Sequence, residues 1–223
     1  MKITQPCKTI GAAIGMFALV ALKNASFGDD ASGLPNQVPP DYVGKPETGT
    51  PQTIPGIIRA VDYDQAPSGA NGITFSYRGK LAKSAFRTGA DSISLAGFGK
   101  GHVSTTGLPE EPGQAYVGWT QSGEWLKYTV RVAETGTYVI GGKFAAGSTG
   151  ATLTFTFTPE LTTGEIEIPT TAGFQPGVEV YHVWENLDHL KEITLPAGIY
   201  VMTVKIGKVA GLNLQSFSFA KKS

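Results

Sequence analysis

The chain has little cysteine or histidine, and its charges cancel. Its 223 residues include one cysteine, Cys7, three histidines, and 18 basic against 18 acidic residues. A disulfide framework or a thiolate zinc site needs several cysteines, so the sequence provides for neither. Proteins that bind phosphate backbones carry a basic patch or stripe, so the balanced charge gives no reason to expect a nucleic acid partner.

A long hydrophobic run is also missing. The longest apolar stretch, Ile10–Leu22, ends at Lys23 and follows a start that has two lysines and no acid. A spanning helix needs about 20 apolar residues. A charged start, a short apolar run and the small residues at 25–28 are typical of a secretory signal peptide. We predict that residues 1–28 are this peptide, that the mature protein has no membrane span, and that it is secreted or periplasmic. The alternative is a membrane anchor.

Proline is concentrated in the next stretch, residues 29–53. It contains Pro35, Pro39, Pro40, Pro46 and Pro51. Proline removes backbone donors and favours extended chain, which predicts a linker that does not pack on a domain. Two interpretations stay open: a tether for a binding module, or a disordered mature N-terminus.

Short alternating segments separated by glycine and turn residues fill residues 54–223. The clearest are 125–132, 137–140, 151–157, 165–168, 199–206 and 212–219. Alternation of period two with β-branched and aromatic residues predicts strands, and no segment has the periodicity of an amphipathic helix. We therefore predict an all-β fold, a β-sandwich or jelly roll. Trp125 begins one alternating strand and is expected in the core, whereas His182 and His189 are expected in a loop.

Groups that would support catalysis or metal binding are sparse. The three histidines are too scattered for a metal triad, and no nucleophile or phosphate-loop motif occurs. A glycosidase needs two acids at a fixed separation, and sequence alone cannot pair the available ones. They are Asp62, Asp64, Glu110, Glu111, Glu124, Glu185 and Asp188. We expect no enzyme, and a small glycan-active enzyme stays as an alternative.

Residues 117–132 read Val-Gly-Trp-Thr-Gln-Ser-Gly-Glu-Trp-Leu-Lys-Tyr-Thr-Val-Arg-Val. This segment resembles the central motif of the family-6 carbohydrate-binding modules, which is Val-Gly-aromatic followed by Gly-Asp/Glu-Trp-Leu-x-Tyr-x-Val. Weaker similarity in the same order is found at Ile54–Gly56, at Leu195–Gly198 and at Leu212–Phe217. The resemblance therefore covers residues 54–220.

The resemblance implies a jelly roll that binds a polysaccharide or oligosaccharide in a cleft of loops. Trp119 matches the first cleft aromatic, Asn213 matches the cleft asparagine, and Trp184 is the candidate for the second aromatic. An indole can stack on the C–H face of a sugar ring, and an amide offers a donor and an acceptor to its hydroxyls. Each residue also has a structural interpretation: the tryptophans could pack inside, and Asn213 could bond a loop backbone.

Many members of that family bind a structural calcium ion through a Glu-x-Glu opening strand and a later oxygen ligand. Arg59 and Val61 occupy the first two positions here, and Gln215 occupies the third. A hard cation needs several oxygen ligands, usually carboxylates. We therefore expect no metal site and no cofactor.

These observations predict a non-catalytic carbohydrate-binding protein. The alternative is a structural or adhesion β-sandwich of the cell envelope that has no affinity for sugars. An exposed Trp119 facing a second aromatic favours the first function, and a filled apolar groove favours the second.

The export prediction is tested directly by the mass of the exported protein. Cleavage is expected between about Leu22 and Ala31, where the apolar run ends and small residues follow. Mass spectrometry of the secreted fraction locates the new N-terminus. Recovery of the chain with Met1 intact in a membrane fraction would contradict the prediction.

Overall fold

The computed structural model describes residues 33–66, 72–78, 95–97, 115–118, 120–171, 183–208 and 212–223. Within these ranges there are twelve strands and no helix. The strands are β1 (Gln52–Ile54), β2 (Gly56–Arg59), β3 (Phe75–Ser76), β4 (Leu95–Gly97), β5 (Ala115–Val117), β6 (Trp125–Val132), β7 (Gly136–Ala146), β8 (Ala151–Thr156), β9 (Ile166–Ile168), β10 (Glu185–Leu195), β11 (Gly198–Ile206) and β12 (Leu212–Lys221). The predicted signal peptide, residues 1–28, lies outside the described residues. No helix in the described part of the chain is suited to crossing a membrane.

The strands form two sheets. Sheet A has the order β1-β6-β11-β8-β9, with β3 also paired to β6, and sheet B has the order β10-β7-β12-β5-β4, with β2 also paired to β12. From β5 onward the chain crosses from one sheet to the other after every strand except β8, which is followed by β9 in the same sheet. This alternation is the jelly-roll arrangement of a β-sandwich, so the predicted fold is confirmed.

β10 is a long strand that the sequence did not predict. His189 lies in it and not in a loop, so that part of the prediction was wrong, while His182 is outside the described residues. β10 is an edge strand, and Glu185, Asp188 and Glu192 give it acidic side chains at irregular intervals. Only Ile193 and Leu195 near the end of β10 are buried, so most of the strand lacks the alternation from which strands are predicted. Its charges suit an edge, since they disfavour pairing with another chain.

The core lies between the sheets and is rich in aromatic rings. Phe217 of β12 is fully buried and packs edge-on against Tyr128 and Phe155 of sheet A, with ring centroids 5.8 and 5.3 Å away. A register shift in β12 between Leu214 and Ser216 changes the phase of its alternation. Leu214 and Phe217 can therefore both face the core although they are three residues apart.

Trp125 is not a core residue, so its predicted position was wrong. The buried face of β6 consists of Leu126, Tyr128, Val130 and Val132. Trp125 belongs to the other set of alternating positions and is half-buried on the outer face of sheet A. There the ammonium of Lys127 lies 5.0 Å from the centre of its ring. The alternation was real, but the sequence pattern did not show which phase faces inward.

The proline-rich stretch packs on sheet A, contrary to the expectation of an unpacked linker. In residues 33–53 the chain exchanges backbone hydrogen bonds with β11: Gln37 N–H donates to Ile199 O at 2.8 Å, and Ile199 N–H donates to Pro35 O at 2.9 Å. β1 then pairs in parallel with β6. We call residues 33–50 the strap. Proline suits an edge-covering segment, because such a segment needs only some of its backbone donors.

Tyr42 anchors the strap to a buried carboxylate. Its hydroxyl donates to Asp64 Oδ2 at 2.8 Å. Asp64 also accepts from the backbone N–H of Thr129 at 2.8 Å and from the Thr129 hydroxyl at 2.6 Å. Burial, followed by the neighbouring Asp64 charge, raises the pKa of the Tyr42 phenol. The phenol therefore stays protonated and serves as the donor.

Removing this hydroxyl should loosen the strap. Tyr42→Phe is expected to lower the free energy of unfolding by about 2 kcal/mol, because a buried carboxylate loses a donor. Urea unfolding at neutral pH measures the change. A folded-state pKa above the ordinary value of about 10 also means that this contribution is complete below about pH 10 and is lost at higher pH. Tyr42→Phe should therefore flatten part of the alkaline decline in stability.

Tyr200→Phe is the matched control. The Tyr200 hydroxyl donates to a neutral acceptor, Pro196 O, at 3.0 Å, so its removal should cost only about 1 kcal/mol. Equal losses for the two variants would show that the Asp64 contact adds nothing to the strap.

Candidate functional site

Two of the three predicted binding residues, Trp184 and Asn213, lie at one end of sheet B. The register places Leu212 of β12 opposite Ala146 of β7, and Leu214 opposite Val117 of β5. The start of β10 joins the same end, because Glu185 pairs with Phe144. Residues distant in sequence therefore meet where β5 and β7 end and where β10 and β12 begin.

Trp184 rests on a buried tyrosine. Its ring meets the Tyr116 ring edge-on, with centroids 5.1 Å apart and an interplanar angle of 66°. Tyr116 is buried although it lies outside the main core cluster. Trp184 itself is half-buried. Tyr116 thus supports the indole, and Trp184 as a residue keeps part of its surface exposed.

Asn213 lies beside this aromatic pair. Leu212 and Leu214 on either side belong to the core, so alternation directs Asn213 to the outer face of sheet B. It is 7% exposed. A methyl group added at Gly118 would lie 3.2 Å from Asn213 Oδ1 and 2.9 Å from a Tyr116 ring carbon. Only glycine therefore leaves room for the asparagine and the tyrosine to approach each other here.

Trp119 lies outside the described residues, and the residues on either side of it are fixed. Gly118 lies against Tyr116 and Asn213. Thr120 is buried, and its hydroxyl donates to Leu212 O at 2.6 Å. The two sequence neighbours of position 119 thus contact Asn213 and the start of β12. The structure brings Trp184 and Asn213 together, and the role of Trp119 stays a prediction.

A threonine that the sequence did not single out ties down the segment that carries Trp184. The Thr171 hydroxyl donates to Val183 O at 2.6 Å and accepts from Ala146 N–H at 2.9 Å. Thr171 N–H donates to Ala146 O at 3.1 Å. We call this set of contacts the Thr171 clasp. It holds the chain on both sides of residues 172–182 against the end of β7.

The turn that follows position 119 is held by a buried glutamate. Glu124 Oε2 accepts from Gln121 N–H at 2.8 Å, and Oε1 accepts from Arg78 N–H at 2.7 Å. Gly123 has a φ of +86°, a conformation that other residues adopt with strain. The Gly-Glu pair of the central motif thus has a structural reason. The sequence marks Glu124 as a residue of the central motif and as a candidate acid, and its contacts across the fold cannot be read from sequence.

The other acidic candidates are engaged or exposed. Asp64 is committed to Tyr42 and Thr129, and Asp62 lies 3.9 Å from Arg59. Glu185 and Asp188 are exposed on β10, while Glu110 and Glu111 lie outside the described residues. Asp64 and Glu124 are thus held by hydrogen bonds: those of Asp64 stabilise the strap, and those of Glu124 stabilise the turn that it begins to close at Gln121.

Comparison with solved structures finds β-sandwich modules at low identity. One is a family-6 carbohydrate-binding module of lichenase 5A from Cellvibrio mixtus in complex with cellotriose, at 22% identity, a TM-score of 0.48, and coverage of 76% of this chain and 98% of that one. Another is a β-1,3-glucan-binding family-6 module from Bacillus halodurans, at 14% identity and a TM-score of 0.49, with coverage of 77% of this chain and 99% of that one. A third is a family-6 module from Clostridium stercorarium in complex with cellobiose, at 15% identity and a TM-score of 0.48, with coverage of 78% of this chain and 99% of that one. No protein-family model and no curated protein matches the chain.

Arg59, Val61 and Gln215, the three positions that the sequence resemblance aligns with calcium ligands, lie close together. Arg59 pairs with Ser216, and Ala60 N–H donates to Gln215 O at 2.8 Å, which places both chain segments side by side. Val61 is buried. The Arg59 guanidinium brings a positive charge to this place, and Asp62 is its ion-pair partner. Among the described residues no group of three or more His, Cys, Asp and Glu side chains is arranged to hold a metal ion.

Chelation is expected to leave the melting temperature unchanged. An ion that binds only the folded state would raise that temperature, so its removal would lower it. The measurement is a thermal melt with and without EDTA, followed by a return to excess Ca²⁺. A drop that calcium reverses would show that other oxygen atoms form a site.

Proposed function

We propose that this protein is a non-catalytic carbohydrate-binding protein that is exported and binds a polysaccharide or oligosaccharide at the end of sheet B. The observation that carries the proposal is the meeting of Trp184 and Asn213 around Tyr116. The central motif that contains Trp119 runs directly past this group. An apolar ring face can stack on the C–H face of a sugar ring, and an amide can bond its hydroxyls.

The groups at the proposed site complement a sugar ring and are held in place before it binds. A sugar ring presents a C–H face that stacks on an indole and a rim of hydroxyls that need donors and acceptors. Tyr116 and the Thr171 clasp hold Trp184 before any ligand arrives. Less side-chain freedom is then lost on binding, so a larger share of the contact energy appears as affinity.

The non-catalytic assignment is supported by the acidic residues. Glycoside hydrolysis uses a proton donor and a second carboxylate that face one sugar. Near the site, Glu124 has both oxygens engaged by backbone amides. Export is supported by the charged start and apolar run of residues 1–28.

Trp119→Ala and Trp184→Ala test the binding site. Each should weaken glycan binding by about 2 kcal/mol or more, as truncation of a central aromatic does at other interfaces. Asn213→Ala should weaken it as well, because sugar hydroxyls would lose a partner. A glycan array on the exported protein supplies the ligand, and calorimetric titration measures the change in affinity. Thermal melts of each variant separate lost binding from lost folding.

Trp125→Ala is the matched control. It removes the same ring from the outer face of sheet A, where Lys127 lies over the indole. Its affinity should stay within about twofold of the wild type, because it removes no group from the proposed site. A loss as large as that of Trp119→Ala would place the ligand on the other sheet. An array without any bound glycan would favour a structural role in the cell envelope.

A further inference from the structure

Two positively charged side chains share one row on the outer face of sheet B. Strand register aligns four residues across β2, β12, β7 and β10: Arg59, Ser216, Lys143 and Asn186. We call these four residues the cationic row. Residues opposite each other in neighbouring strands lie on the same face of a sheet. Ile58, Phe144 and Phe217, which are next to the row in their strands, belong to the core, so the row faces outward.

The cationic row lies beside the proposed binding site. Asn213 is opposite Ala145 in the outward set of positions. Glu185 is opposite Phe144, which brings the preceding residue, Trp184, next to Ala145. Lys143 follows Ala145 on the same face at a distance of two residues, or about 6.7 Å along β7. A sugar ring at Trp184 therefore has its neighbour in the glycan chain within reach of the Lys143 side chain.

The positive charge of the row is largely unpaired. Within the described part of the chain, Lys143 forms no ion pair. The Arg59 side chain is 52% exposed, and its nearest carboxylate, that of Asp62, is 3.9 Å away. Lysines at the other end of sheet B are ion-paired instead: Lys221 with Glu134, and Lys222 with Glu192. The face beside the proposed site therefore carries charge that a ligand can neutralise.

The acidic side chains of β10 do not take part in the cationic row. Glu185 is opposite Phe144, whose ring lies in the core, so Glu185 belongs to the other set of alternating positions. Asp188 lies where the register shifts, two residues beyond Asn186. The residue of β10 that faces Lys143 is thus a neutral amide.

We propose that the bound glycan is acidic: the sugar next to the ring at Trp184 carries a carboxylate or a sulfate, which binds over Ser216 between Lys143 and Arg59. The inference rests on the proposed function, because the ring at Trp184 sets the position of its neighbour. An ammonium and a guanidinium donate charge-assisted hydrogen bonds to an oxyanion, and the Ser216 hydroxyl can donate another. A neutral glycan gains none of the charge-assisted bonds, so the cationic row selects for an acidic polysaccharide.

A glycan array with neutral, uronic acid and sulfated oligosaccharides tests the selection and distinguishes a carboxylate from a sulfate. Calorimetric titration then compares the best acidic oligosaccharide with its carboxyl-reduced or desulfated form. The acidic form should bind about tenfold more tightly at low salt, the effect of one hydrogen bond between charged groups. The difference should shrink in about 1 M salt, which screens charges on an exposed face.

Lys143→Gln removes the charge and keeps most of the side-chain length. It should abolish the difference in affinity between the acidic and the neutral form. Arg59→Gln should reduce that difference less, because Asp62 already offsets part of the guanidinium charge. Lys205→Gln is the matched control: it removes the same charge from an exposed position opposite Trp125 on sheet A. Its affinity for the acidic form should stay within about twofold of the wild type.

The outcomes separate this inference from the proposed function. A preference for the acidic form that Lys143→Gln removes and Lys205→Gln keeps supports the inference. Equal affinity for both forms, or a preference that survives in Lys143→Gln, overturns it. If Trp184→Ala still weakens binding in that case, the proposed function stays intact. A wild type that binds no glycan on the array overturns the proposed function, and the acidic ligand with it.

Discussion

Phe217 packs against Tyr128 and Phe155 of the opposite sheet and lies 6.2 Å from Phe144 of its own. These contacts set how the two sheets lie on each other, because aromatic rings bury large areas and prefer edge-on geometry. Phe217 is in β12, the central strand of sheet B. The place of Asn213, earlier in that strand, is therefore determined by the same packing. The site at the end of sheet B inherits its rigidity from the core.

Sequence alone predicted the strands that bury one face. β6 and β11 alternate clearly, and their bounds agree with the segments predicted for them to within one residue. The prediction failed where burial does not follow alternation. β10 is a charged edge, and Trp125 has the opposite phase to the one expected. The strap packs through backbone bonds and Tyr42, although its proline content indicated an unpacked linker.

The site could be predicted in its residue types and only partly in its structure. Asn213 and Trp184 were singled out by resemblance, and strand register places them together. The supporting residues could not have been found in this way. Tyr116, Thr171 and Glu124 act through contacts between segments that lie far apart in the chain. Such partners depend on sheet order and register, which a single sequence does not specify.

The Thr171 clasp has an evolutionary consequence. Its hydroxyl bond joins the chain at Thr171 and Val183, on the two sides of residues 172–182. Lengthening a closed segment costs little entropy, about 0.6 kcal/mol for each doubling of its length. A change in the number of residues between Thr171 and Val183 would therefore cost little in loop-closure entropy. Under the proposed function, a change of length in this segment, which precedes Trp184 in the chain, is a low-cost way for selection to alter sugar preference.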